Sequence, residues 1–254
     1  MLFRFRKAFA VLMAMRTGKT KVIVDDFGRL VHENKVRDLL VIAPAGAYMP
    51  WEGALYTDLP DSISDFMAVF VWSSKKKHLK SYRAEIAQFL GHGGPRVMLM
   101  NVEAISSVSM ARDLARVFLK ESAGKNMLVV DESVVIKNPQ ATCSKYCVDS
   151  LSPMATYKRI LSGLVAPRSP LDVYQQFRFL DKTIIPESFE KFRDKYADVK
   201  RICQLPMNLV KNKYFNALKL NKPASEKQLQ EKAKIVWPDM TDFPDFGFLR
   251  NMLM

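Results

Sequence analysis

The chain alternates short, mostly apolar runs with amphipathic stretches. The apolar runs occupy residues 8–13, 38–43, 66–72, 96–100, 126–130 and 158–161. Each is too short for a buried helix and apolar on both alternating faces, the pattern of a strand covered by helices on either side. Between them lie segments with helical spacing of apolar positions: 19–33, 76–91, 110–122, 141–150 and 170–179. Strands alternating with helices at this spacing predict an α/β domain with a doubly wound, mostly parallel sheet. In such sheets ligands bind beyond the carboxyl ends of the strands, so the residues just after each run carry the chemistry. The pattern changes near residue 200. Residues 211–234 are lysine-rich and read as one or two amphipathic helices. Residues 237–248 (WPDMTDFPDFGF) hold prolines and aromatics and read as a loop or docking segment. The expected division is a main domain over 1–200 and a helical, aromatic appendage over 201–254.

Composition narrows the class. With 254 residues, 48% hydrophobic and 26% charged, the chain has enough apolar material for a core that needs no disulfide or structural metal. Its three cysteines, Cys143, Cys147 and Cys203, form no even framework. The histidines (His32, His78, His92) are far from them in sequence, so reduced thiols are expected rather than a metal site. No apolar run approaches the roughly 18–20 residues of a membrane span. The basic, apolar start resembles a secretory leader but lacks a small-residue cleavage site, so the expected location is cytoplasmic. The net charge of +13 is spread along the chain rather than gathered in one tail, which suits a polyanion-binding surface.

Two strand ends carry candidate chemistry. After the first run comes Ala14-Met15-Arg16-Thr17-Gly18-Lys19-Thr20, which opens a helix. A strand, a glycine-containing turn and a helix start make a phosphate-binding loop. Gly18 allows close backbone approach, amide groups and the helix dipole face the anion, Lys19 neutralises phosphate and Thr20 ligates Mg²⁺. A full loop of this kind would have glycine where Met13 stands, and a bare Gly-Lys-Thr also fits a helix start with a solvated lysine. About 110 residues later the run 126–130 ends in Asp131-Glu132. An aspartate there can hold Mg²⁺ and the next glutamate can polarise an attacking water; the alternative is a solvent-facing acidic pair. Loop and acids in this order reinforce each other and point to nucleotide binding, with Mg²⁺ held at Thr20 and Asp131.

With these residues in view, the chain resembles the first RecA-like lobe of superfamily 2 helicases and translocases, in the compact Swi/Snf-like form common in bacteriophages. LMAMRTGKTKVIVD (12–25) resembles motif I, and LVIAPAGAYMPWEGAL (40–55) resembles motif Ia, with Pro44 and Trp51 at the family spacing. VMLMNVEAIS (97–106) resembles motif Ib. LVVDESVVIKNPQAT (128–142) resembles motif II with its Ile-Lys-Asn-Pro extension. RILSGLVAPRSPLDVYQQFRFLD (159–181) resembles motif III and the following helix, and FEKFRDKYA (189–197) fits the segment after it. The resemblance covers about 8–200 and implies a RecA-like P-loop NTPase fold. It also implies roles: Arg16, Thr17, Gly18, Lys19 and Thr20 bind the nucleotide; Thr20 and Asp131 hold Mg²⁺; Glu132 activates water; Ser162 and Gly163 couple hydrolysis to movement; Pro44, Ala45 and Asn101 line a nucleic-acid track.

The chain departs from the family pattern at Val134, where a histidine or small polar residue is usual. It departs again at Leu164 and Val165, which replace Thr-Pro and remove a hydroxyl. No adenine-reading glutamine segment precedes the loop. The 54 residues after position 200 are too few for the family's second lobe, so that lobe is expected from a partner in trans or from self-association. The basic cluster Lys75, Lys76, Lys77, His78, Lys80 and Arg83 is a candidate phosphate-backbone contact; a solvated helix start is the other reading. The expected activity is a DNA-dependent ATPase acting as helicase or translocase on DNA, double-stranded by expectation. The rival is a catalytically weak helicase-like adaptor that binds nucleic acid or a host or replication protein.

Overall fold

A computed structural model describes residues 6–47, 49–122 and 124–197. The expected appendage, with its lysine-rich and aromatic segments, lies outside the described residues, as does the expected boundary at 200. By contacts the chain forms two units, Met1–Pro186 and Glu187–Met254. In the second, the described element is one helix, Phe189–Tyr196, started by the Ser188 hydroxyl accepting the Lys191 amide at 3.4 Å.

The first unit is built on six parallel strands: β1 (Ala8–Leu12), β2 (Asp38–Ala43), β3 (Ala68–Val71), β4 (Arg96–Asn101), β5 (Asn126–Val130) and β6 (Tyr157–Ser162). The strand order is β1-β6-β5-β2-β4-β3. Every expected apolar run is a strand. The longest trimming is at β3, where Phe66 is exposed and precedes the strand.

Alternation divides the core in two. Leu40, Ile42, Met98, Met100, Leu128, Val130 and Ile160 face one side. Leu39, Val41, Val97, Leu99, Met127, Val129 and Leu161 face the other. On the second side lie α1 (Lys19–His32), α2 (Met49–Asp58) and α3 (Asp61–Ser64). On the first lie α4 (Lys80–Leu90), α5 (Val102–Ser107), α6 (Ser109–Glu121), α7 (Thr142–Lys145) and α8 (Val173–Leu180). Helices on both faces of a parallel sheet, with both faces dry, make this the RecA-like, doubly wound α/β arrangement.

α1 shows how the sequence achieves this. Ile23, Phe27 and Leu30 recur at helical spacing and are buried, as is Val24. Asp26 on the same helix is also buried, and its Oδ2 accepts from Arg159 Nε at 3.0 Å and Nη2 at 2.8 Å. A second buried ion pair joins Asp38 at the start of β2 to Arg96 at the start of β4, with contacts of 2.8 and 2.7 Å. Burial works against ionisation of Asp38, yet hydrogen bonds from Arg96 and Arg37 outweigh it and hold its carboxyl below the usual range.

Three differences from expectation have local causes. Lys76 and Lys77 belong to a turn closed by Lys76 N to Ser73 O (3.2 Å) and Leu79 N to Lys76 O (2.9 Å), and α4 starts at Lys80. The stretch 141–150 is a single α-helical turn that widens into a π-helical one over Tyr146–Leu151. There Cys143 and Cys147 fill the core as adjacent free thiols, their sulfurs 3.8 Å apart. α2, α3 and α5 were not expected. Pro50 and Gly53 interrupt the helical signal of α2, and the other two are a turn or so long. No helix among the described residues is long and apolar enough to cross a membrane.

Candidate functional site

Because all six strands are parallel, their carboxyl ends lie along one edge of the sheet. Read across in sheet order, that edge carries the loop 13–18 after β1, then Ser162 and Gly163 at β6, and Asp131 and Glu132 after β5. Pro44 and Ala45 follow at β2, Asn101 at β4, and the Lys75, Lys76, Lys77 turn after β3. The candidate residues thus fall into two neighbouring groups. The three strands β1, β6 and β5 hold those expected to bind nucleotide. The three strands β2, β4 and β3 hold those expected to meet nucleic acid.

In the first group the loop 13–18 is anchored to β6 by Met13 N donating to Ser162 O at 3.2 Å. Thr17 Oγ1 closes the turn on Ala14 O at 2.7 Å. Gly18 caps α1 at φ +91°, a conformation that a side chain makes costly, and the space a Cβ would occupy is open. No side chain caps α1, and its first turn carries no acid. The amides and dipole at that end therefore favour an anion. Lys19 is 9% exposed, with Nζ donating to Met13 O (3.3 Å) and Ala14 O (3.2 Å) and lying 3.8 Å from Glu132 Oε1. Thr20 follows, half-buried.

Asp131 is buried and held from two directions. Its Oδ2 accepts from Trp51 Nε1 at 2.9 Å and its Oδ1 from Glu132 N at 2.8 Å. Each oxygen retains acceptor capacity. Glu132 sits at φ 44°, ψ 60°, left-handed backbone that is unfavourable for a residue with a side chain. Ser133 then turns inward, and its Oγ donates to Gln176 Oε1 at 2.6 Å, with both side chains buried. Gln176 Nε2 donates in turn to Val165 O and Asp172 O, both at 2.7 Å.

The turn after β6 completes this group. Ser162 Oγ accepts from Leu164 N at 3.1 Å. A Cβ on Gly163 would lie 3.4 Å from Met15 Cγ and 3.6 Å from Met15 N, so this turn packs directly against the phosphate loop. Leu164 and Met15 are largely exposed beside it. Asp172 accepts from Arg168 N (3.0 Å) and from Lys137 Nζ (3.1 Å), which ties the segment after Glu132 to the segment after β6.

In the second group Ala43 and Asn101 are register partners, so Pro44, Ala45 and Asn101 stand side by side. Lys75 and Lys76 are exposed and Lys77 is half-buried on the outermost strand's turn.

Among the described residues, no cluster of three or more His, Cys, Asp or Glu could hold a metal by itself. Asp131 and Thr20 offer oxygen donors for a cation that brings water and phosphate oxygens with it, the usual state of Mg²⁺ at a nucleotide. The donor set therefore fits Mg²⁺ with a bound nucleotide.

Trp51 and Gln176 are the residues that sequence reasoning missed. Trp51 was marked only for its spacing. Gln176 had a legible signal: it stands three residues after Val173 and four before Leu180, a polar residue on the buried face of α8.

No family model and no curated protein matches the sequence. Among solved structures, the SWI2/SNF2 ATPase core of Sulfolobus solfataricus in complex with dsDNA is similar, with a TM-score of 0.56 and 22% identity over 75% of this chain. The same organism's SWI2/SNF2 ATPase core domain matches with a TM-score of 0.50 and 23% identity over 74% of this chain. The chain spans about a third of the length of each, 34% and 33%. Strand order, two-sided helical cover and these likenesses together show a RecA-like α/β fold, shared with those two ATPase cores.

Proposed function

We propose that this chain is an ATP-binding lobe of a DNA helicase or translocase. The observation that carries the reading is the meeting of Lys19 and Glu132 at 3.8 Å, two residues 113 positions apart in sequence, beside a buried Asp131 and an uncapped helix start. Bound ATP–Mg²⁺ would supply the phosphoanhydride and the cation that offsets its charge. Lys19 would exchange its loop carbonyls for phosphate oxygens. Thr20 and Asp131 would hold Mg²⁺, with Arg16, Thr17 and Gly18 shaping the loop. Glu132 would accept the proton of the attacking water. Ser162 and Gly163, packed against Met15, would sense the occupied loop. Pro44, Ala45, Asn101 and the turn lysines would follow a nucleic-acid backbone, where cations release counterions. The dsDNA in the Sulfolobus complex makes duplex DNA the first ligand to try.

Groups from a second lobe, whichever polypeptide carries it, would complete the ATP site. The adaptor reading is favoured by one observation: Leu164, exposed at the turn after β6, offers no hydroxyl. Steady-state ATP hydrolysis with and without duplex DNA, beside Glu132→Gln, separates the two. DNA-stimulated turnover that the variant loses supports the motor. Nucleotide binding without turnover, with or without DNA, supports the adaptor.

A further inference from the structure

Glu132 occupies left-handed backbone, and something must hold it there. On its amino side Asp131 is fixed by Trp51 and by the Glu132 amide. On its carboxyl side the hold is Ser133, whose hydroxyl is buried against Gln176. Gln176 is fully buried, and its amide group reaches three partners at once: Ser133 Oγ at 2.6 Å, Val165 O at 2.7 Å and Asp172 O at 2.7 Å. Val165 lies two residues after Gly163, which packs on Met15 of the phosphate loop. One side chain on α8 therefore bridges the turn that carries Glu132 and the turn that touches the phosphate loop.

We infer that Gln176 is a positioning residue that couples the state of the phosphate loop to the placement of Glu132, through Val165 on one side and Ser133 on the other. This rests on the ATPase reading above. The physical case is strict pairing. Buried polar groups left without partners are costly, so Ser133 and the Val165 carbonyl have to move with the Gln176 amide rather than independently of it.

The test uses the full chain with Ser133→Ala, Gln176→Leu and Gln176→Glu. Circular dichroism checks that each is folded, and Ser133→Ala is the mild variant that removes the link from the far side. Amide hydrogen exchange is followed in 131–137 and 163–172. Nucleotide affinity and turnover are measured alongside. Ser133→Ala is expected to raise exchange in 131–137 alone, and Gln176→Leu in both segments. Gln176→Glu keeps the acceptor for Ser133 and loses both donors, so it should loosen 163–172 and leave 131–137 protected. Turnover should fall at least tenfold in Gln176→Leu while nucleotide affinity stays within twofold. Unchanged exchange in 131–137 for both Ser133→Ala and Gln176→Leu would overturn the inference, as would full turnover in Gln176→Leu. If the parent chain shows no turnover above Glu132→Gln, the ATPase reading has failed instead, and the exchange arm still decides whether Gln176 bridges the two turns.

Discussion

Replacing Trp51 by phenylalanine isolates the hold on Asp131. The indole is fully buried, and its N–H donates to Asp131 Oδ2 at 2.9 Å. Phenylalanine keeps most of the apolar bulk that Trp51 adds to the core cluster holding Ile23, Phe27, Val41 and Leu55 but removes the donor. A hydrogen bond to a charged partner contributes about 1.5–3 kcal/mol. The side chain also shrinks by about 40 Å³, which at the usual cavity cost adds about 1 kcal/mol. The expected loss is about 2.5–4 kcal/mol, or about 5–15 °C in Tm for a domain of this size. Urea denaturation followed by circular dichroism reads it. A cycle with Asp131→Ala separates hydrogen bond from cavity, because only the former is shared between the two sites. The coupling should be about 1.5–3 kcal/mol. A coupling below about 0.5 kcal/mol would refute the argument that Trp51 holds the carboxylate. In addition, the single variant should need more Mg²⁺ for the same nucleotide affinity, since Asp131 would lose its fixed orientation.

Lys19→Ala should abolish ATP binding measured by equilibrium titration, and undiminished affinity would remove the phosphate-loop assignment. Duplex-DNA affinity should fall steeply with salt, and neutralising Lys75, Lys76 and Lys77 together should flatten the log–log slope by about one for each lysine that contacts phosphate; an unchanged slope would place the track elsewhere. Asp38 has its pKa held below the unfolded value by Arg96 and Arg37 despite burial. It therefore contributes stability that is present above the unfolded pKa of about 3.9 and is lost as pH falls through the folded value. Asp38→Asn should cost about 3–5 kcal/mol at neutral pH by leaving Arg96 buried and unpaired, and should flatten the acid limb of a stability-against-pH curve. An acid limb as steep as the parent's would show that other carboxylates set it.

The strands were legible because a strand buried on both faces must be apolar at nearly every position, as Leu39, Leu40, Val41 and Ile42 show. Lys19, Asp131 and Glu132 were legible because the residues after such strands have few reasons to be charged unless they meet a ligand or another charge. α2 was not legible, since Pro50 and Gly53 weaken its local signal and its burial of Trp51 against the sheet decides the outcome. Neither was the turn that holds Lys76 and Lys77, which depends on a hydrogen bond to Ser73 rather than on periodicity.

The sequence by itself determined the layered α/β class and which strand ends carry the candidate phosphate loop and the acidic pair, because hydrophobic period and turn chemistry are local properties. Strand order is not local. Only the tertiary structure set β5 two places from β1, brought Glu132 to Lys19, put the indole of Trp51 on Asp131 and sealed Ser133 against Gln176. These contacts join residues 43 to 113 positions apart (Ser133 with Gln176, Lys19 with Glu132). They exist because the sheet must bury both faces at once, and that global requirement does not say which distant residues will meet.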